Sequence, residues 1–322
     1  MTIFLDEKTV MGLVGMADAL DATEEVFREA GRRNVTNVPR VRVPLNDGTL
    51  RITAAVLNYR GYYGVKVSST TVFGRNAGRV FCLYKEDGGE LCAIVQVFAM
   101  GALRTGAASG VATRHLANQD ARILGVIGSG RQAATQVAAI AAVRAISEVR
   151  VFSREPENRA RFCANIVSTL GIAARPVDSA RDAVTGCDVV VTSTTSTTPV
   201  LLGEWLSPGT HINAIGANYE RRRELDSAAA ARAAVIATDD KDQAQYEATD
   251  LVAPVSEGLF GWDRVTPLAD IVAGLVRGRT SRDDITLFKS LGVAIEDVAL
   301  AVRAYEKAIA LGLGERLPDL SG

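Results

Sequence analysis

The chain has 322 residues, 48% hydrophobic and 23% charged, with 36 lysines and arginines against 37 acidic residues and a formal charge of -1. The length exceeds what one core usually accommodates, so two lobes are expected, and the charge balance excludes the clustered basic excess of a nucleic-acid binder. Cys82, Cys92, Cys163 and Cys187 form no Cys-x-x-Cys pair, no apolar run reaches membrane-spanning length and "MTIFLDEKTV" lacks a signal's apolar core, so the expectation is a soluble cytoplasmic protein with no metal site, no disulfide framework and no membrane partner.

From Ala17 to Arg33 the chain places Leu20, Val26, Phe27 and Ala30 at helical spacing, acidic residues early and arginines late, which predicts a helix matched to its dipole. Five runs rich in β-branched and aromatic residues follow, "RVRVPL", "LRITAAVL", "YYGVKVSST", "RVFCLYKE" and "LCAIVQVF". The turn-like segments between them predict an antiparallel meander. "MGALRTGAASGVATRHLA" reads as a closely packing helix that leads into the second lobe. From Ala121 the rhythm becomes strand, turn, helix, with strands "RILGVIG", "EVRVFS", "DVVVTST", "HINAIGA" and "AAVIATD". That alternation predicts an α/β, Rossmann-type doubly wound parallel sheet beside the smaller α+β lobe. The last stretch, roughly Asp283 to Glu315, reads as a strong helix with apolar positions at Val293, Ile295, Val298, Ala301 and Val302, opening on a turn-like "KSLG".

Gly128, Ser129, Gly130, Arg131, Gln132 and Ala133 form a Gly-x-Gly-x-x-Ala turn. Alone, this is either a structural corner or a phosphate-binding turn. The strand before it, the alanine-rich helix after it and "EVRVFS" beyond favour a dinucleotide site, in which free helical N–H groups meet the pyrophosphate. The second strand ends in Ser153 and Arg154, with Arg159 shortly after, rather than in a carboxylate. A hydroxyl and guanidinium suit a 2'-phosphate, so NADP(H) is favoured over NAD(H). Glu155 is the alternative adenosine contact if the strand ends one residue later.

Taken together, "VPRVRV", "YGVKV", "ALRTGAASGVATRHLA", "GVIGSGRQA", "INAIGAN" with "RRELD", and "LFKSLGVAIEDVA" resemble the ornithine cyclodeaminase and mu-crystallin family over nearly the whole chain. The resemblance implies a homodimer of two-lobed subunits. Residues 1–118 with 295–322 would form the substrate and dimerisation lobe, and 119–294 the NADP(H)-binding Rossmann domain. It further implies hydride transfer between a nicotinamide and the α-carbon of an amino acid or its imine.

Carried over by position, Arg40 looks like the arginine that holds the substrate carboxylate, with Arg42 as a rival. Arg104 looks like a second carboxylate or imine-side contact, and Lys66 like the ammonium that passes a proton. A guanidinium grips a carboxylate bidentately, and a lysine near arginines should have a lowered pKa. By pattern alone, Arg40 and Lys66 are equally readable as solvated strand residues. Thr192, Ser193 and Thr194, with Thr195, close a strand where the family touches the nicotinamide ribose. Gly216 follows the next strand, and Lys289, Ser290, Leu291 and Gly292 resemble the turn at the carboxamide edge.

The sequence departs from the cyclodeaminases at Asn218, where they place an aspartate. An asparagine hydrogen-bonds but is no general base at neutral pH. Asn218 therefore joins Arg40, Lys66 and Arg104 as a candidate catalytic residue, with nearby Glu220 a possible stand-in for the aspartate. The segment from Leu50 to Tyr59 also lacks the acidic residue of ornithine-using members. The expected function is NADP(H)-dependent reduction of an α-imino acid, or the reverse oxidation. The alternatives are an ornithine-type cyclodeaminase using catalytic NAD and a cofactor-gated small-ligand-binding protein. Tyr59, Tyr62, Phe73 and Asn218 are the expected pocket lining.

Overall fold

In the computed structural model, which describes residues 2–71, 79–219 and 222–318, the chain opens with a strand that the sequence pattern does not announce, β1 (Ile3–Leu5). Asp6 then caps α1 (Glu7–Leu13) by accepting the Thr9 N–H at 2.8 Å. The Gly15 N–H donates to the Asp18 carboxylate at 3.1 Å at the start of α2 (Met16–Gly31), which buries Leu20, Val26 and Phe27. The predicted meander follows as β2 (Thr36–Leu45), β3 (Gly48–Leu57), β4 (Tyr62–Thr71), β5 (Arg79–Lys85) and β6 (Leu91–Gln96), each antiparallel to the next. One face of these strands buries Thr53, Ala55, Leu57, Phe81 and Leu83. On the other face Val41, Val43, Val67 and Val80 are exposed. β1 adds to β6 in parallel. Phe73 and Glu220 lie outside the described residues.

The helix α3 (Phe98–Leu116) contains the boundary between two units, Met1–Arg104 with Gly292–Gly322, and Thr105–Leu291. The second unit runs β7 (Ile123–Ile127), α4 (Arg131–Val143), β8 (Glu148–Phe152), α5 (Pro156–Leu170), β9 (Ala173–Pro176), α6 (Ala180–Val184), β10 (Val189–Thr192) and β11 (His211–Ala214). It continues through α7 (Ser227–Ala231), β12 (Val235–Thr238), α8 (Lys241–Glu247), α9 (Thr249–Ser256), β13 (Val265–Pro267), α10 (Leu268–Val272) and β14 (Thr286–Lys289). The sheet order is β13-β12-β14-β11-β10-β7-β8-β9, parallel throughout. Both faces are covered. Val189 and Val191 of β10 enter one apolar cluster and Val190 the other, which explains the unbroken "DVVV" run. The strand order reverses beside β7, so the glycine turn that follows it sits at the topological switch point.

The chain then returns to the first unit with α11 (Ala294–Leu311), packed on α2, β3 and β4, and with β15 (Glu315–Arg316), paired to β1. Here the sequence reading needs correction. The helix expected from about Asp283 begins at Ala294, and Thr286–Lys289 is a buried strand between β11 and β12. A four-residue run ending in lysine carries no strand periodicity. Its burial depends on a partner elsewhere in the chain, described below.

Candidate active site

In the first unit a β-bulge in β2 leaves Pro39 and Arg40 opposite Thr53 of β3. Proline is tolerated at bulges, and bulges re-aim side chains. Arg40 Nη2 donates to the Gly292 carbonyl at 2.5 Å. Lys66, directly opposite Thr53 on β4, ion-pairs through Nζ with Asp297 Oδ2. Arg104 donates from Nε to Asp297 Oδ1 at 3.2 Å and from Nη1 to Glu296 Oε2 at 2.7 Å. Glu296 and Asp297 are both fully buried. Gly292 has φ +75°, and a Cβ there would stand 2.5 Å from Arg104 Nη1, so glycine is required for conformation and for space. Although the sequence groups Gly292 with the cofactor turn, the structure places it in this cluster.

Burial pushes the Lys66 ammonium down to about 8, Asp297 opposes that, and the Arg104 and Arg40 charges add to it. Burial pushes the Asp297 carboxyl up, but Arg104 and Lys66 outweigh it and leave it below the usual range. The result is a set of guanidinium donors beside an amine that titrates near neutrality, a combination that can orient a carboxylate and exchange a proton. Sequence reasoning missed Glu296 and Asp297. Their signal was an acidic pair set among the apolar positions of a buried helix, masked because acids in a first turn also suit the helix dipole. Tyr62 stacks edge-on against Tyr305 at 6.3 Å, and Tyr59 lines a small cavity with Glu25 and Arg60, so both belong to the hairpin end of the sheet.

In the second unit, Gly128 N–H donates to Phe152 O at 2.8 Å and the Ser129 and Ser153 hydroxyls bond at 2.9 Å. These contacts tie the glycine turn to the end of β8. Gly130 is the N-cap of α4, which has no side-chain cap, and a Cβ on Gly130 meets nothing within 4 Å. Ala133 is fully buried in the core, while the buried Gln132 Oε1 finds no hydrogen-bond partner among the described residues. An uncapped helix start with open space before it fits the pyrophosphate of a dinucleotide. Arg154 is exposed just beyond β8. Arg159 is held inward by Ser153 O and Asp178, both at 3.0 Å, and lies over the Phe152 ring. It supports the strand end more than it offers a free donor. Arg131 opens α4.

Three more of the residues that the sequence groups with the cofactor have partners inside the protein. Thr192 Oγ1 donates to Glu224 at 3.0 Å; Lys289 is fully buried, with Nζ 3.0 Å from Asp250; Ser290 Oγ donates to Asp239 at 3.2 Å. These side chains bond to one another's neighbours within the strand ends of this unit. Glu224, which sequence reasoning did not single out, also accepts the N–H groups of Thr194 (2.6 Å) and Gly216 (2.7 Å). Burial raises its pKa against the opposing charge of Lys289. Ser193 N–H donates to Ile127 O, linking β10 to β7, and Asn218 sits partly exposed in the loop after β11. Arg40, Lys66, Arg104 and Gly292 are thus brought together in one unit, while Asn218 and the glycine turn belong to the other. Among the described residues no acidic, histidine or cysteine group is arranged to hold a metal ion, and no helix is long and apolar enough to cross a membrane.

Comparison with known proteins gives a match to the ornithine cyclodeaminase/mu-crystallin family model over residues 1–311. The chain is 35% identical over 322 residues to an alanine dehydrogenase of Archaeoglobus fulgidus, covering 98% of each. It is similar to the structure of Thermococcus litoralis Delta(1)-pyrroline-2-carboxylate reductase in complex with NADH and L-proline, at 33% identity and TM-score 0.94, covering 98% of this chain and 100% of that one. It is also similar to an archaeal alanine dehydrogenase dimer with bound NAD, at 33% identity and TM-score 0.92, covering 98% and 99%.

Proposed function

The chain belongs to the ornithine cyclodeaminase/mu-crystallin family and is a nicotinamide-dependent oxidoreductase of CH–NH groups; from that premise we propose that it reduces an α-imino acid to the amino acid, or runs the reverse oxidation, with NADP(H) preferred to NAD(H). The observation that carries the reading is Lys66, an amine shifted to about 8 and set between Asp297 and two arginines. Arg40 and Arg104 grip the substrate carboxylate and fix the α-carbon. Lys66 Nζ donates the proton that the imine nitrogen gains and takes it back in the oxidation. When bound, the nicotinamide supplies or accepts the hydride. The backbone of Ser129 to Gln132 would hold its pyrophosphate, and Ser153 with Arg154 the 2'-phosphate. Asn218 hydrogen-bonds the substrate without acting as a base, which disfavours a cyclodeaminase.

The relatives named above, one of them a dimer with bound NAD, support nicotinamide use by this chain, and one holds L-proline, the product of a cyclic imine reduction. The exposed apolar face of Val41, Val43, Val67 and Val80 suits a homodimer, which light scattering on the purified protein tests.

The decisive assay mixes purified protein and NADPH with pyrroline-2-carboxylate, piperideine-2-carboxylate, and 2-oxo acids plus amines. Stoichiometric loss of NADPH is expected, with weaker use of NADH. Cofactor binding without reduction of any of these imines overturns the reading. Ammonia release without net cofactor turnover points to the cyclodeaminase.

A further inference from the structure

Glu224 lies in the segment between β11 and α7, is fully buried, and has its backbone fixed from two sides. Its carbonyl accepts the N–H groups of Val200 and Leu201 at 2.8 and 3.0 Å. Its own N–H and that of Leu225 donate to Asp250 Oδ1 at 2.8 and 2.9 Å. From this fixed base the carboxylate reaches two loops. One oxygen accepts the Thr194 N–H from the loop after β10, and the other accepts the Gly216 N–H from the loop after β11 together with the Thr192 hydroxyl. The two loops are pressed together, since a Cβ on Gly216 would run into the Thr194 carbonyl. The first of them is pressed in turn on the glycine turn, where a Cβ on Gly128 would run into the Ser193 carbonyl. A peptide N–H only donates, so holding one at each oxygen takes a side chain that accepts at both ends of its fork. A carboxylate does so and an amide does not. Neutralising Lys289 does not explain Glu224, because Lys289 already has Asp250 at 3.0 Å.

Resting on the cofactor reading above, we propose that Glu224 is a positioning residue for the dinucleotide: acting through Thr194 and Gly216, it sets the loops that take the nicotinamide half and has no part in holding the adenosine half. The topology gives the direction. β8, which ends beside Ser153 and Arg154, lies on one side of β7, and β10 and β11 lie on the other. A dinucleotide laid across the carboxyl ends of a doubly wound sheet puts one half on each side of the switch point. With the 2'-phosphate assigned to Ser153 and Arg154, the nicotinamide half falls to the loops that Glu224 holds. A glutamine at this position exchanges an acceptor for a donor at one end of the fork. Either the Thr194 or the Gly216 N–H then faces another donor, and its loop shifts to relieve the unmade bond. The Lys289 and Asp250 charges still balance in that variant, so no buried cation is left unpaired beneath the loops.

The test compares two ligands on the whole chain, with no turnover. Calorimetric titration gives Kd for NADPH or NADH, whichever the wild type holds more tightly, and for the matching adenosine-side fragment, adenosine 2',5'-bisphosphate or ADP. Glu224→Gln is expected to weaken the reduced cofactor by about tenfold or more and the fragment by less than about twofold. A side chain that merely supports the fold would weaken both alike. Equal losses for the two ligands, or no loss for either, overturn the role of Glu224 and leave nicotinamide use standing. A wild type that binds neither cofactor overturns both. If Glu224→Gln does not fold, Glu224→Asp takes its place, since it keeps the charge and falls one methylene short of holding both loops. The same selective loss supports the assignment, and an unselective loss or none overturns it.

Discussion

Two strand lysines, each paired with an aspartate, sit one in each unit of this protein and have opposite uses. Lys66 keeps 14% of its side chain accessible, shares Asp297 with Arg104 and has its pKa pushed down to about 8. Lys289 is sealed at 0% exposure, 3.0 Å from Asp250, and also donates to the Ala214 carbonyl. Burial, with the charges of Arg104 and Arg40, loosens the proton of Lys66 against the pull of Asp297. Lys289 instead has the carboxylates of Asp250 and Glu224 as its charged neighbours at the ends of β11 and β14. A buried ion pair is therefore no sign of chemistry by itself. Access to the amine, and the arginines beside its partner carboxylate, distinguish Lys66.

The contrast can be broken by substitution. Lys66→Met is expected to lower kcat for imine reduction by about 10²–10⁴-fold, yet to leave the melting temperature nearly unchanged, because Asp297 keeps Arg104 at 3.2 Å. Steady-state kinetics and calorimetry on one preparation check both halves. Lys289→Met should do the reverse. It strands Asp250 and is expected to cost about 3–5 kcal/mol of stability, read from denaturant unfolding, with cofactor affinity falling only as the folded fraction falls. Smaller is Gly292→Ala, which forces an alanine into φ +75° and against Arg104. About 1–3 kcal/mol of strain is expected, appearing as a raised KM for carboxylate substrates with kcat less affected. An equal fall in both parameters would mean that Gly292 does not position Arg104.

These lysines also mark where the sequence was legible. The meander could be read because "RVRVPL" and its successors alternate, and the second unit because strands, glycine turn and helices follow in order. Lys66 was found through the resemblance carried by "YGVKV", since a lysine between two valines in a strand reads equally well as a solvated residue. Lys289 was read as part of the turn at the carboxamide edge, and nothing beside "LFKS" announces that Asp250 lies within reach. Glu296, Asp297 and Glu224 were overlooked for the same reason. Glu296 and Asp297 bond to residues some two hundred positions away and Glu224 to Thr192 and Thr194 of another strand end, and locally Glu296 and Asp297 look like ordinary first-turn acids. β1 and β15 pair only through the tertiary fold, and strands this short carry too few residues to show a period.

The mildest perturbation, pH, sharpens the comparison further because burial brings the Lys66 amine down to about 8. The protonated amine is the donor in reduction, so kcat should fall as pH rises through about 8, approaching tenfold per unit beyond it, while the oxidation, which needs the free amine, should rise through the same value. Stability has its own sign. The folded pKa lies below the ordinary 10.5, so between about 8 and 10.5 the unfolded chain holds a proton that the folded one has lost, and stability rises with pH across that window. Below about 8 the burden of the buried ammonium is present in full. Asp297 supplies the attraction that keeps the amine from falling further, so Asp297→Asn should move the alkaline limb of the reduction profile to lower pH. If the limb stays at about 8 in that variant, the titrating group is not Lys66, and the difference between the two lysines is one of accessibility alone.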